Sequence, residues 1–451
     1  MFNKITACLF ILSLYFTGCS WTETPEQTAP ANTFLDEEDL DFLKEITRDV
    51  VEASRVHEGD MVGEYGPNIT GGTLIRPGGR DCYPAFWIRD YAMSLDCGLI
   101  SAEEQRHMLL LTAKHQPDHE IRLKSGSFIP PGSIPDHIPL QDKPIFFPGT
   151  LDDFEGQGGQ KWGDIPSLDD AFFFVKMAKV YVDGSLDTKI LEEKINGKPL
   201  LTRLEDAIAM PPYDPATQLV YATDESRGIA FGFTDTTTHT GFLLVSSLLK
   251  YRAALQLADL CGQAGQDGKA KKYLNIADTL KTHIGATFTD DSGLLRASTG
   301  KSAQPDIWGS AIAVYFGALD DSLSAKVCIA LADCLEKGSI DWKGNIRHVP
   351  TDMDFNSETS WEVSLAEKNT YQNGAYWNTP TGWVCHAVFR VNRDLARDLA
   401  AAFIQELRTG DFRKGEEYGS PWECQHPNGH QQNPVYMTSV TVPLSVFLNS
   451  K

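Results

Sequence analysis

From about residue 35 to the C-terminus this chain repeats a helical hydrophobic period, broken by long stretches that carry no period at all. Leu40, Leu43, Ile46, Val50 and Val51 fall on one helical face, the spacing that buries a single stripe. Met108, Leu109, Leu111 and Thr112 mark a second segment, opened by the capping sequence Ser101-Ala102-Glu103-Glu104. The same reading predicts helices over Asp170–Tyr181, Leu191–Ala209, Thr240–Cys261, Gly268–Phe288, Trp308–Phe316, Leu323–Leu335, Trp383–Arg390, Asp394–Leu407 and Ser439–Leu448. That amounts to about a dozen helices with little strand signal.

The helices come in pairs. Thr240–Cys261 and Gly268–Phe288 are joined by Gly262-Gln263-Ala264-Gly265, and Asp394–Leu407 follows Trp383–Arg390 after a very short turn. No composition shift divides them, so residues 32–451 read as one all-α domain in which twelve paired helices close as a double-ring (α/α)6 toroid. A superhelical solenoid is the alternative, but no fixed-period repeat supports it. The aperiodic stretches Gly59–Tyr83, Gly126–Pro166, Ile340–Tyr376 and Thr409–Tyr436 are rich in Gly, Pro and aromatics. Loops of this length in a compact domain are usually functional.

The N-terminus has a different purpose. Met1–Ser20 carries one cation, Lys4, then an apolar run from Ile5 to Phe16 that is too short to span a bilayer, and ends in Phe16-Thr17-Gly18-Cys19. Residues 1–18 therefore read as a signal peptide. The ending resembles a bacterial lipobox, with Phe16 in place of the usual leucine, which implies lipid on Cys19 and a home in the bacterial cell envelope; simple secretion is the alternative. Residues 19–31 are polar and contain proline, as a flexible tether would. The other seven cysteines after Cys8 and Cys19 are scattered without metal-ligand spacing and read as buried free thiols.

Lys plus Arg number 40 against 61 Asp plus Glu, a net charge of −21. That field repels nucleic acid but leaves neutral, hydroxylated ligands untouched. There is no GxGxxG, P-loop or GxSxG pattern. Asp136-His137 and His426-x3-His430 raise the question of a metal, but Pro427 and Gly429 break the simple helical pair, and neither a metal nor a cofactor is expected.

The loops hold what sugar sites use: Trp and Tyr to stack on rings, amides and carboxylates for hydroxyls. Most informative is Tyr83-Pro84-Ala85-Phe86-Trp87-Ile88-Arg89-Asp90, where a guanidinium fork and a carboxylate follow a stacking wall. It reads as a clamp for vicinal hydroxyls or as an ion pair capping a helix. Asp169 and Asp170 open a helix, whose dipole favours their ionised form and so hydroxyl binding or capping over acid work.

With these residues the chain resembles the six-hairpin glycosidases, the (α/α)6-barrel superfamily of glucoamylases, trehalases and processing α-glucosidases. The resemblance rests on Trp87-Ile88-Arg89-Asp90, matching the superfamily's sugar-binding Trp-x-Arg-Asp, and on Gly232-Phe233-Thr234-Asp235 ahead of a leucine-rich helical hairpin. It extends to Tyr371-Gln372-Asn373-Gly374-Ala375-Tyr376-Trp377 and to Pro421-Trp422-Glu423-Cys424 before the closing helix. It implies Asp235 as general acid and Glu423 as general base. It also implies substrate contacts from Tyr83, Trp87, Arg89, Asp90, Asp169, Asp170, Tyr371, Gln372, Asn373, Tyr376, Trp377 and Trp422, and exo-acting, inverting hydrolysis of a neutral oligosaccharide. From the residues alone, Asp235 could instead cap a helix and Glu423 could bind a surface arginine, with Glu358 and Glu362 in reserve. A polysaccharide lyase using His426, His430 or Tyr436, and a non-catalytic sugar-binding lipoprotein, are the rival functions.

The N-terminal reading has its own test. Detergent partitioning and intact mass should show lipid on Cys19, and Cys19→Ser should release the protein into the aqueous phase. Continued membrane partitioning of Cys19→Ser at unchanged mass would place the anchor elsewhere.

Overall fold

The computed structural model describes residues 34–449 apart from 81, 124–125, 148 and 151–163, so Cys19 and the tether lie outside the described residues. Among the described residues are twelve helices, α1 (Glu37–Ser54), α2 (Ile88–Ser94), α3 (Ala102–His115), α4 (Asp170–Ser185), α5 (Leu200–Ala209), α6 (Leu244–Gln263), α7 (Asp267–Phe288), α8 (Ile307–Tyr315), α9 (Asp321–Glu336), α10 (Thr381–Phe389), α11 (Arg393–Gly410) and α12 (Thr438–Asn449). Each even-numbered helix packs on the even-numbered helices before and after it, and α12 packs on α2, so the even helices close an inner ring. The odd helices lie outside it, for example α3 on α4, α7 on α6 and α11 on α10. This is the six-hairpin toroid that the helix pairing predicts.

Sequence decides which ring a helix joins. An inner helix is enclosed over most of its surface and is buried well beyond a single stripe. The helices α8 (IWGSAIAVY) and α10 (TGWVCHAVF) contain no Asp, Glu, Lys or Arg, and all seven residues of α2 are buried. Outer helices need one stripe only: α7 buries Tyr273, Ala277, Leu280, Ile284 and Phe288 and exposes most of the rest. At α3 the capping box forms, with the Glu104 N–H donating to Ser101 Oγ and the Ser101 N–H to the Glu104 carboxylate.

Three expectations need correction. Leu191–Ala209 is not one helix: Lys194-Ile195 and Lys198-Pro199 pair across Asn196-Gly197, and α5 begins only at Leu200. Both turn residues have positive φ, 50° and 83°, the geometry for which Asn-Gly is the strongest short signal. The helix read from Thr240 starts at Leu244, because Gly241-Phe242 pairs with Tyr221-Ala222. Strands are also more numerous than the pattern suggests, sixteen among the described residues. Each is two to four residues long, too short to print an alternating period; the largest sheet pairs Ala85–Trp87 with His137–Pro139, setting Trp87 opposite His137.

Loop length is distributed by face. Connections from an inner to the next outer helix are short, such as 264–266 between α6 and α7 or 390–392 between α10 and α11. Connections from an outer to the next inner helix are long, such as 55–87 before α2, 337–380 before α10 and 411–437 before α12. The long loops therefore gather at the N-terminal ends of the inner helices. All seven cysteines in this body are free, six of them buried and Cys82 half-buried.

Candidate active site

At that end of the ring lies a cavity of about 340 Å³. Tyr83, Trp87, Arg89 and Asp90 reach it from the entry to α2, and Gly232, Phe233 and Asp235 from the turn ahead of α6. Tyr371 comes from the loop before α10, and Glu423 and Tyr436 from the loop before α12.

Arg89 organises one wall. Its Nε donates to Asp169 Oδ2 at 2.9 Å and its Nη2 to Asp136 Oδ1 at 2.7 Å, with Asp170 3.3 Å away. The second oxygen of Asp136 meets His137 Nδ1 at 2.7 Å, and the His137 ring stacks on Trp87 at 4.1 Å between centroids. Thus the stacking wall and the cation are braced by one network. Asp169 Oδ2 also accepts from the Gly232 N–H at 2.9 Å, and a side chain at Gly232 would collide with Arg89. Glycine is required there because the guanidinium occupies the space.

Three carboxyls face the cavity without a full charge partner. Asp90 accepts from the Tyr436 hydroxyl at 2.5 Å. Burial lifts its pKa to about 6, against the pull of Tyr436 and Arg89. Asp235 closes a 3-10 turn, Gly232–Thr234, and stands well before α6, so it does not N-cap that helix. Its Oδ1 is buried with no hydrogen-bond partner, and burial raises its pKa to about 7 despite Arg89 and a Gln372 hydrogen bond. Glu423 sits on the strand Trp422–Gln425, paired with Gln431–Pro434, and forms no ion pair among the described residues. The Tyr83 hydroxyl donates to both its oxygens, at 2.9 and 3.0 Å, and Asn433 Nδ2 donates to Oε2 at 2.5 Å.

Burial puts Glu423 at about 8, above Asp235, with the Asn433 and Tyr83 hydrogen bonds opposing it. That order alone would keep Glu423 protonated longest, but the hydrogen bonds point the other way and decide the matter. Tyr83 accepts from Asn433 Nδ2 at 3.0 Å, which leaves its own proton for Glu423, so both Glu423 oxygens act as acceptors. A carboxyl ringed by donors is held as a carboxylate, whereas one with an unpartnered oxygen has less to stabilise its charge.

Several expected contact residues lie elsewhere. Asp169 and Asp170 are fully buried behind Arg89 and do not line the cavity. For Asp170 the helix-start argument fails, since burial and the neighbouring Asp169 and Asp136 push its pKa up rather than down. Gln372 binds the Thr236 and Gly232 backbone, and Asn373 binds Ser360 and Ala366. Trp377 is core, packed on Phe233 and Trp308, and neither Tyr376 nor Trp422 reaches the cavity wall. The reserve residues Glu358 and Glu362 are exposed. His430 accepts from the Tyr371 N–H and His426 stacks on Tyr376, so only Tyr436 of the three lyase candidates faces the cavity. Among the described residues no group of three or more His, Cys, Asp or Glu side chains could hold a metal. The sequence reading missed Asn433 and the bracing role of Asp136-His137, since strand pairing across a loop is what brings them in.

No family model and no curated protein matches this chain. Solved structures do. A glucoamylase of glycoside hydrolase family 15 from Hypocrea jecorina matches with a TM-score of 0.58 at 12% identity, over 90% of this chain and 70% of its own. A glucoamylase from Saccharomycopsis fibuligera matches at 0.56 and 11%, over 93% and 97%. A rhamnosidase from Klebsiella oxytoca with rhamnose bound matches at 0.56 and 13%, over 93% of this chain but only 65% of its own. At these identities the likeness establishes the fold.

The raised pKa of Asp235 carries a sign that can be measured. In the unfolded chain this group loses its proton near pH 4 and in the folded chain near 7, so its contribution is full at low pH and is lost as pH rises through about 7. Asp235→Asn should therefore be more stable than the parent at pH 8, by on the order of 4 kcal/mol, and should gain nothing at pH 4. An equal gap at both pH values in denaturant melts would show that Asp235 is not buried as a proton carrier.

Proposed function

We propose that the chain is a glycoside hydrolase that removes a terminal residue from a neutral oligosaccharide with inversion, Asp235 acting as general acid and Glu423 as general base. The observation that carries this reading is the contrast within one small cavity: two carboxyls on separate loops, the buried Glu423 ringed by donors and the half-buried Asp235 with a bare, buried oxygen. Glycoside cleavage needs that asymmetry, a protonated group for the leaving oxygen and an ionised one for the water.

Each residue then has a task. Asp235 gives its proton to the glycosidic oxygen as the bond to the anomeric carbon breaks, while Glu423 takes a proton from the water attacking the opposite face. Tyr83 and Asn433 hold the Glu423 oxygens in place. Trp87, Phe233 and Tyr371 offer apolar faces for the ring. Arg89 keeps Nη1 without a protein partner among the described residues, and Asp90 supplies an acceptor beside it, so the pair can grip adjacent hydroxyls. The cavity is small and bounded by residues from four separate loops, which favours one enclosed ring and hence exo attack. The glucoamylase and rhamnosidase neighbours support a carbohydrate substrate.

Neither rival gains from the geometry. The lyase reading loses both histidines from the cavity wall. A protein that only bound sugar would have no need of three carboxyls kept at a cost in burial energy. For the membrane anchor, support comes from the sequence before residue 20.

Hydrolysis of a glycan panel, with the first-formed anomer followed by nuclear magnetic resonance, tests the proposal. Asp235→Asn and Glu423→Gln should each slow turnover by about 10²–10⁴-fold. Azide should restore rate only to Glu423→Ala, since a small anion replaces an attacking water but not a proton donor. Asp90→Asn should lose about tenfold or more in kcat/KM with its fold intact. A retained anomeric configuration would overturn the base assignment, and full activity in either carboxyl variant would overturn the pair.

A further inference from the structure

The inner ring lines a second pocket, distinct from the catalytic one. Its wall is built by the inner helices themselves: Phe172 and Phe173 of α4, Leu249 of α6, Ile312 of α8, Trp383 of α10 and Val446 of α12. At its outer end stand Asp96, in the turn after α2, and Tyr315, the last residue of α8. The mouth is therefore at the C-terminal ends of the inner helices, on the face opposite the proposed active site. Close-packed interiors hold few voids larger than a water molecule, and an apolar pocket on the barrel axis forfeits contacts that ordinary packing would make.

Its polar groups are few and placed at the mouth. Lys176 and Asp96 satisfy each other at 2.7 Å. Arg252 is different: it is exposed, has no carboxylate partner among the described residues, and lies over the Phe316 ring with its guanidinium carbon 5.9 Å from the centroid. Gln256, one helical turn further along α6, is buried, lines the cavity and makes no side-chain hydrogen bond among the described residues. The mouth thus carries one unneutralised cation and one free amide beside an aromatic chamber, in a chain whose net charge is −21.

We infer that this axial cavity is a binding site for a free carboxylate with an apolar body, such as a medium-chain fatty acid, its carboxylate on Arg252 and Gln256 and its chain among the inner-ring aromatics. A guanidinium fork matches a carboxylate in two parallel hydrogen bonds, and the apolar lining rewards a chain that leaves water. A neutral apolar ligand would leave Arg252 unmatched, and an ammonium amphipath would be repelled by it. This inference does not rest on the catalytic assignment, because the cavity shares no lining residue with the one that holds Asp235 and Glu423.

Decanoate is the probe, titrated calorimetrically into the full chain carrying Cys19→Ser and prepared without detergent, with decanol and decyltrimethylammonium as controls. Decanoate should bind saturably at one site per chain, and at least about tenfold more tightly than either control. Arg252→Glu should weaken it by about tenfold or more, Arg252→Lys should keep part of the affinity, and both should melt like the parent because the side chain is exposed. A fluorescence change on binding should vanish in Trp383→Phe while calorimetric binding persists, which locates the chain on the barrel axis. Glycan hydrolysis by Arg252→Glu should be unchanged. Absence of saturable decanoate binding, equal binding of decanol, or indifference to Arg252→Glu would each overturn the inference.

Discussion

Arg89 is the contact on which the cavity depends. It is buried where the inner ring begins, and its guanidinium joins three parts of the chain that are remote in sequence: α2 itself, the Asp136-His137 strand and the start of α4. Through Asp169 it also fixes the Gly232 backbone, and therefore the turn that presents Asp235. Three carboxyls share that one cation, and burial with its two acidic neighbours pushes Asp170 up towards its neutral form, which lightens the charge the cluster must bury. The proposed acid is thus aimed by a residue it does not touch, and any change at Arg89 would be felt on two walls of the cavity at once.

The remaining carboxyls are placed against the usual logic of burial. Burial and neighbouring carboxyls push Asp90, Asp235 and Glu423 up, and at Glu423 the Asn433 and Tyr83 hydrogen bonds oppose the push. Such groups lower stability as pH rises. They persist because the ring beneath them is well packed: Phe233 rests on Trp308 and Trp377, and Trp308 stacks on His348 at 3.9 Å. An aromatic floor of this kind excludes water and cannot relax to solvate a charge. Proton affinity at the site is therefore a property of the packing below it as much as of the residues facing substrate.

The sequence is most legible where a single local rule decides the outcome. The stripe of α1, the capping box of α3 and the hairpin α10–α11 each follow from spacing within one or two turns. The segment from Tyr83 to Asp90 is legible for the same reason, since four of its residues act from one strand-to-helix junction. Non-local pairings are not legible. Nothing near Glu423 announces Asn433, which arrives only because Trp422 pairs with Pro434 and Cys424 with Gln432. The run Gln372 to Trp377 misleads in the opposite sense: it has the composition of a sugar rim, yet Gly374 at φ 105° turns it under, and its amides are consumed by backbone. The Asn196-Gly197 turn was present in the sequence as a strong signal, but it sat inside a run whose hydrophobic period alone favoured helix.

Backbone conformation shows the same division between scaffold and site. Among the described residues eleven other than glycine have positive φ, and four of them gather here: Tyr83 at 58° and Tyr371 at 42° line the cavity, Asn433 at 47° donates to Glu423, and Val435 at 59° precedes Tyr436. A β-branched valine in this region is held against its own preference, at a cost of order 1–3 kcal/mol. The strain has a geometric purpose. Tyr83 must direct its hydroxyl to Glu423 from the opposite side of the cavity, and Tyr436 must reach Asp90 across 346 positions of sequence. Relaxed extended chain would carry both hydroxyls past their carboxyls. A ring closed by twelve helices supplies the rigidity that lets four strained residues stay where they are, and the long loops supply the freedom to place them.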